Sequence, residues 1–206
     1  DWRLFTREGF AGEISGGGVV FGTNGFDDIT VLDGPGMTVF DASFNRGGDV
    51  IRLDGAADGW RVALTGSNAL FSDGDSFVLV PIGVEGIAVV FDDGPRTLRF
   101  DAAGDAALIG SQTIGSALEP IAAPFSGQVS DQADPEATGL LLTAVNATVT
   151  VGDNLTVVGT NGAETVHVMH GDVMFDGSFN RGGDTIAVDE AAGAFTVSRS
   201  GSLVLF

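Results

Sequence analysis

The sequence contains no cysteine, no lysine and no tyrosine. Without cysteine there is no disulfide, no thiolate zinc site and no cysteine nucleophile. The 9 basic residues are all arginine, against 28 acidic residues, for a formal net charge of −19. So acidic a surface repels nucleic acid and anionic membranes. No apolar run approaches the roughly 18 residues that would span a bilayer. No signal-peptide pattern opens the chain, so an exported form would have lost its signal or would carry it elsewhere. Tryptophan is scarce at 2 residues, which limits the aromatic platforms available to a glycan.

Glycine is abundant at 32 residues, and apolar residues make up 44% of the 206. That is enough for one or two domains with real cores. Segments such as DITVLD, MTVFDAS, SFVLVPI and IAVVFDD alternate apolar and polar residues, the period of a strand. DGPG, RGG, SDGD and DDGP separate them as turns. The one helix candidate is PEATGLLLTAVNA, weakened by Gly139 and its β-branched residues. The fold class is therefore all-β, with tandem β-solenoid or β-roll-like domains expected and a β-sandwich as the alternative. The expectation from this composition is a secreted or surface protein of a bacterium, built without disulfides.

The chain repeats itself. GTNGFDDITVLDGPGMTVFDASFNRGGDVIRLDG, from Gly22, returns as GTNGAETVHVMHGDVMFDGSFNRGGDTIAVDE, from Gly159, shortened by 2 residues. SFNRGGD is identical in both copies. A weaker match pairs LFTREGFAGEI at Leu4 with RFDAAGDAALI at Arg99. Between the copies, a stretch rich in proline and small residues reads as a linker or long loop. The expected division is an N-terminal segment 1–16, a first β domain 17–118, a linker 119–148 and an incomplete second domain 149–206. The second copy stops where the first continues into further strands. If residues 1–15 resemble closing strands, they are expected to complete the open edge of a second molecule, through Trp2, Leu4, Phe5, Phe10 and Ile14. Head-to-tail contacts of that kind give filaments.

GTNGFDDIT resembles the glycine- and aspartate-rich nonapeptide of hemolysin-type (RTX) calcium-binding proteins. Gly22, Gly25, Asp27 and Ile29 fall on that pattern, Thr23 replaces a glycine, and the second copy has Glu164 at the Asp position. FNRGGDVI and FNRGGDTI keep only the later glycine, the aspartate (Asp49, Asp184) and the isoleucine. The motif never runs in uninterrupted tandem, as it does in that family. The resemblance implies calcium as cofactor. Calcium takes 6–8 hard oxygen ligands, which acidic turns supply. The candidate ligands are Asp27, Asp28, Asp41, Asn45, Asp49, Asp176, Asn180 and Asp184. The alternative is that these are ordinary turns, which Asn-Gly and Gly-Asp also form. Phe40, Phe44, Phe175 and Phe179 are expected to plug the core beneath.

His167 and His170 read as polar turn residues rather than a metal pair. Neither belongs to a convincing Ser-His-Asp set. The expected function is a non-catalytic module of a surface layer, adhesin or filament, with self or other surface proteins as partners. The alternatives are a carbohydrate-binding module, which would use Trp2 and Trp60, and a polysaccharide-degrading solenoid enzyme.

Overall fold

The structure, a computed structural model, describes residues 1–206 except Gly47, Ser130 and Gly182. The first glycine of each SFNRGGD turn therefore lies outside the described residues. The chain is all-β, with short 3-10 turns as its only helical elements among the described residues. The strands are β1 (Trp2–Phe5), β2 (Ala11–Ile14), β3 (Gly18–Phe21), β4 (Asp28–Val31), β5 (Gly36–Phe40) and β6 (Val50–Leu53). They continue as β7 (Arg61–Thr65), β8 (Asn68–Ser72), β9 (Ser76–Pro81), β10 (Ile87–Phe91), β11 (Gly94–Asp101), β12 (Ala106–Ile109), β13 (Gln112–Thr113) and β14 (Glu119–Pro120). The remainder are β15 (Gly139–Thr143), β16 (Thr148–Asp153), β17 (Leu155–Val158), β18 (Thr165–Val168), β19 (Val173–Phe175), β20 (Thr185–Val188), β21 (Ser198–Ser200) and β22 (Leu203–Leu205).

Two sheets of 10 strands carry the molecule. Sheet A runs β14-β7-β8-β9-β5-β3-β1-β15-β17-β19, and sheet B runs β13-β12-β11-β10-β6-β4-β2-β16-β18-β20. The chain winds from one sheet to the other and back. Each rung is one strand of sheet A followed by one of sheet B: β1–β2, β3–β4, β5–β6 and β9–β10 in the first arm. Successive rungs pair in parallel, as β1 with β3 and β2 with β4. This is a β-solenoid. Strict alternation sends Leu4, Val20 and Phe40 inward and leaves Phe5, Val19 and Val39 outward.

The first arm ends in a cap. The β7–β8 hairpin extends sheet A through β9, and β11, β12 and β13 extend sheet B as an antiparallel meander. The chain then returns along the solenoid. Ser126 N donates to Pro95 O at 2.7 Å beside sheet B, and Asp134 N donates to Gly9 O at 2.8 Å beside the first rung. There the second arm begins and grows the opposite way, with rungs β15–β16, β17–β18 and β19–β20. Where the arms meet, β1 pairs with β15 and β2 with β16, both antiparallel.

Several expectations are corrected here. Residues 1–16 are not a detachable segment. β1 and β2 form an inner rung with both edges occupied, and Trp2, Leu4, Phe10 and Ile14 sit in this chain's own core, with only Phe5 facing outward. They are not available as donor strands. The match between Leu4 and Arg99 segments has no structural counterpart: β1–β2 crosses between sheets, whereas β11 and β12 are neighbours in one sheet. The second arm starts at Gly139, inside the expected linker, because LLL alternates into β15. The helix candidate is this strand and its flanking turns.

Candidate functional site

The two copies of the repeat build the same corner where sheet A hands over to sheet B. In the first arm, the GTNGFD turn of one rung lies beside the SFNRGGD turn of the next. Register pairs Asp28 with Val50, so Asp27 and Asp49 stack on successive rungs, both fully buried. The backbone N–H of Asp27 donates to Asp49 Oδ1 at 2.9 Å. Asp27 in turn closes its own turn, where Oδ2 accepts from Thr23 N at 2.8 Å and Thr23 Oγ1 at 3.1 Å. The aspartate of SFNRGGD is thus a lock between rungs, since a buried backbone N–H without a partner is costly.

The second arm repeats the lock. Glu164 N donates to Asp184 Oδ1 at 2.9 Å. The longer Glu164 side chain reaches further than Asp27 does. Its oxygens accept from Thr160 N at 3.1 Å, from Thr160 Oγ1, and from Asn146 N of the preceding rung at 3.2 Å. The consequence is a difference in acidity at one structural position. Burial pushes the Asp27 carboxyl up to about 6, against the hydrogen bonds from Thr23. Burial also raises Glu164, but hydrogen bonds from Thr160 and Asn146 outweigh it and hold that carboxyl below the ordinary glutamate range.

The motif glycines serve clearance. A Cβ on Gly22 would lie 2.6 Å from the Phe44 ring, and one on Gly25 would lie 2.4 Å from Glu8 Cγ of the preceding rung. The left-handed turn conformation belongs instead to Gly48 (φ 74°) and Gly183 (φ 78°). Phe40 and Phe44 stack edge to face at 4.7 Å, as Phe175 and Phe179 do at 4.8 Å, in the plug role read from their spacing.

The other candidate ligands have separate duties. Asp41 and Asp176 cap 3-10 turns: each accepts from the N–H and hydroxyl of Ser43 or Ser178. The serine hydrogen bond holds the Asp176 carboxyl below its usual range. Asp28 is bidentate to Arg52, at 2.8 and 2.6 Å. Asn45 and Asn180 close the same 3-10 turns. Among the described residues no group of three or more His, Cys, Asp or Glu converges as a metal cluster would. Two buried carboxylate oxygens, Asp27 Oδ1 and Asp184 Oδ2, accept no hydrogen bond among the described residues. They are what the corners offer a cation.

His167 faces out of sheet B. His170 sits where the arms meet, with Nε2 3.3 Å from Glu13 Oε2 and Nδ1 3.6 Å from Asp153 Oδ1. Sequence reasoning missed this contact because β2 and β16 meet only through the arm reversal. Burial raises the Asp153 carboxyl, against the attraction of His170. Trp2 and Trp60 are both core residues, so neither serves as a glycan platform. No protein-family model and no curated protein matches the chain. The class that the fold and corners define is a two-armed β-solenoid with an acid lock in each arm.

Proposed function

We propose that the chain is a non-catalytic structural module of a secreted bacterial surface protein, whose second arm is extended by strands from outside residues 1–206. The observation that supports this is the open rung of the second arm. In the first arm, β9 adds to β5 and β10 adds to β6, and the β7–β8 hairpin reaches sheet A only through β9. In the second arm, β19 and β20 are the last strands of their sheets, and the β21–β22 hairpin forms a separate two-stranded sheet. The same sequence that is covered in one arm is bare in the other. Strands of the β9–β10 kind are the natural occupant, in parallel on β19 and β20. β9 and β10 of this chain already have both edges occupied, so the donor is a cap-type segment from outside these residues rather than residues 1–15.

Calcium belongs to this reading at the corners, where Asp27 and Asp184 bring buried carboxylate oxygens. Bound there, it would neutralise carboxylates that the core otherwise penalises. Asp28, Asp41 and Asp176 keep their structural partners.

The test is a fusion in which a second copy of residues 72–126 follows Phe206. It should raise the melting temperature and quench the exposure of the β21–β22 hairpin to limited proteolysis. An unchanged melting temperature and unchanged cleavage would remove the support for strand addition.

A further inference from the structure

The two sheets present different outer surfaces. The nine strands of sheet A from β7 to β19 contain no aspartate or glutamate at all, in a chain with 28 acidic residues. Sheet B carries Glu13, Asp28, Asp101 and Asp153 on its strands. Sheet A also holds the exposed apolar side chains Phe5, Met37, Phe77, Leu140 and Met174. Phe5 and Phe21, paired on neighbouring strands of this face, stack at 4.7 Å with 9° between their planes. The return segment's contacts at Ser126, with Pro95 and Thr97, lie on sheet B.

We propose that the outer face of sheet A is a self-association surface, on which a second copy of this chain packs sheet to sheet. Charge selects the partner. Two molecules of net charge −19 meeting elsewhere bring carboxylates against carboxylates. On sheet A they bring only apolar and neutral groups, with Arg3 and Arg61 as the charged exceptions. Size agrees. Nine strands about 4.8 Å apart, each about 15 Å long, present roughly 600 Å². Two such faces bury about 1,200 Å², the lower end of stable specific interfaces. Sheets packed face to face lie about 10 Å apart with their side chains interdigitated. This contact is lateral, runs along the solenoid and is independent of the open rung.

The experiment is sedimentation velocity of the full chain over a range of concentrations, at low and at moderate salt. The native chain should show a monomer–dimer equilibrium that strengthens as salt screens the net charge. The triple substitution Phe5→Thr, Met37→Thr and Leu140→Thr keeps strand-forming residues and should weaken the dimer at least about tenfold. The single change Phe5→Leu should retain it, and an unchanged circular dichroism spectrum shows that the triple variant still folds. If that variant unfolds, the pair Met37→Thr and Leu140→Thr takes its place. A native chain that stays monomeric, or a folded triple variant that dimerises as well as the native chain, overturns the proposal. Retention of a monomeric native chain on insoluble polysaccharide, lost in the variant, overturns it in favour of a glycan.

Discussion

Seven identical residues sit in two different environments. In the first arm the isoleucine after SFNRGGDV, Ile51, is 0% exposed; its counterpart Ile186 is 37% exposed. Val62 is 2% exposed in the cap, and Val197 is 69% exposed. Phe71 is fully buried, and Phe206, edge to face with Phe195, is 56% exposed. The local structure is nevertheless the same in both: the strand, the 3-10 turn, the capped serine and the acid lock all recur. Local sequence therefore dictates the rung, and the following rung dictates its stability. A rung buries its apolar face only when another lies on it, which is the general behaviour of solenoids.

The largest test of that difference is a pair of truncations. Phe44→Ala should destabilise the chain by about 3–5 kcal/mol, the range for a fully buried phenylalanine. Phe179→Ala, at a partly buried position, should cost about half of that or less. Urea unfolding followed by circular dichroism reads both. Equal losses would mean that the second arm is as well packed as the first.

The acid locks sharpen the comparison through pH. An acid with a raised folded value keeps its proton in the fold after the unfolded chain has released its own. Asp27 therefore contributes most below the ordinary aspartate range, and that contribution is lost as pH rises toward about 6. The loss is on the order of 3 kcal/mol. Asp27→Asn should flatten this part of the stability curve in calcium-free buffer, and added calcium should stabilise this variant less than the native chain. Glu164 has the opposite sign. Its contribution is present above the ordinary glutamate range and is lost as pH falls through its lowered folded value. Glu164→Gln should therefore destabilise at neutral pH and not in acid. Melting curves between pH 3 and pH 8 separate the two variants, and parallel curves would break the assignment.

Much of the rung was legible in the sequence, and the joining of the rungs was not. DITVLD and SFVLVPI have the alternation of strands and form β4 and β9, because a half-buried pleat demands that period. The repeat announced that SFNRGGD is architectural. The bond from Asp27 N to Asp49 was hidden, since it depends on which residues of two rungs share a register. The arm reversal was hidden too. Nothing in LLLTAVNATVTV distinguishes a strand that pairs in parallel from one that meets β1 and β2 in antiparallel fashion. The apparent likeness of residues 4–14 to residues 99–109 came from shared alternation, which strands of any topology possess.

The smallest expected effect lies where the arms meet. His170 faces Glu13 and Asp153 with about half its side chain exposed, so the contact is weak. His170→Asn should change stability by less than about 1 kcal/mol. A larger loss in thermal denaturation would show that the seam depends on this contact rather than on the strand pairing of β1 with β15 and β2 with β16.

Hydrogen exchange followed by mass spectrometry tests the central claim most directly. The peptides covering residues 40–53 and 175–188 share SFNRGGD, so intrinsic exchange over those seven residues is nearly equal. Their relative protection then reports only what covers each copy. The account predicts strong protection of the first copy and exchange faster by at least about tenfold in the second. Equal protection in the two copies would contradict it.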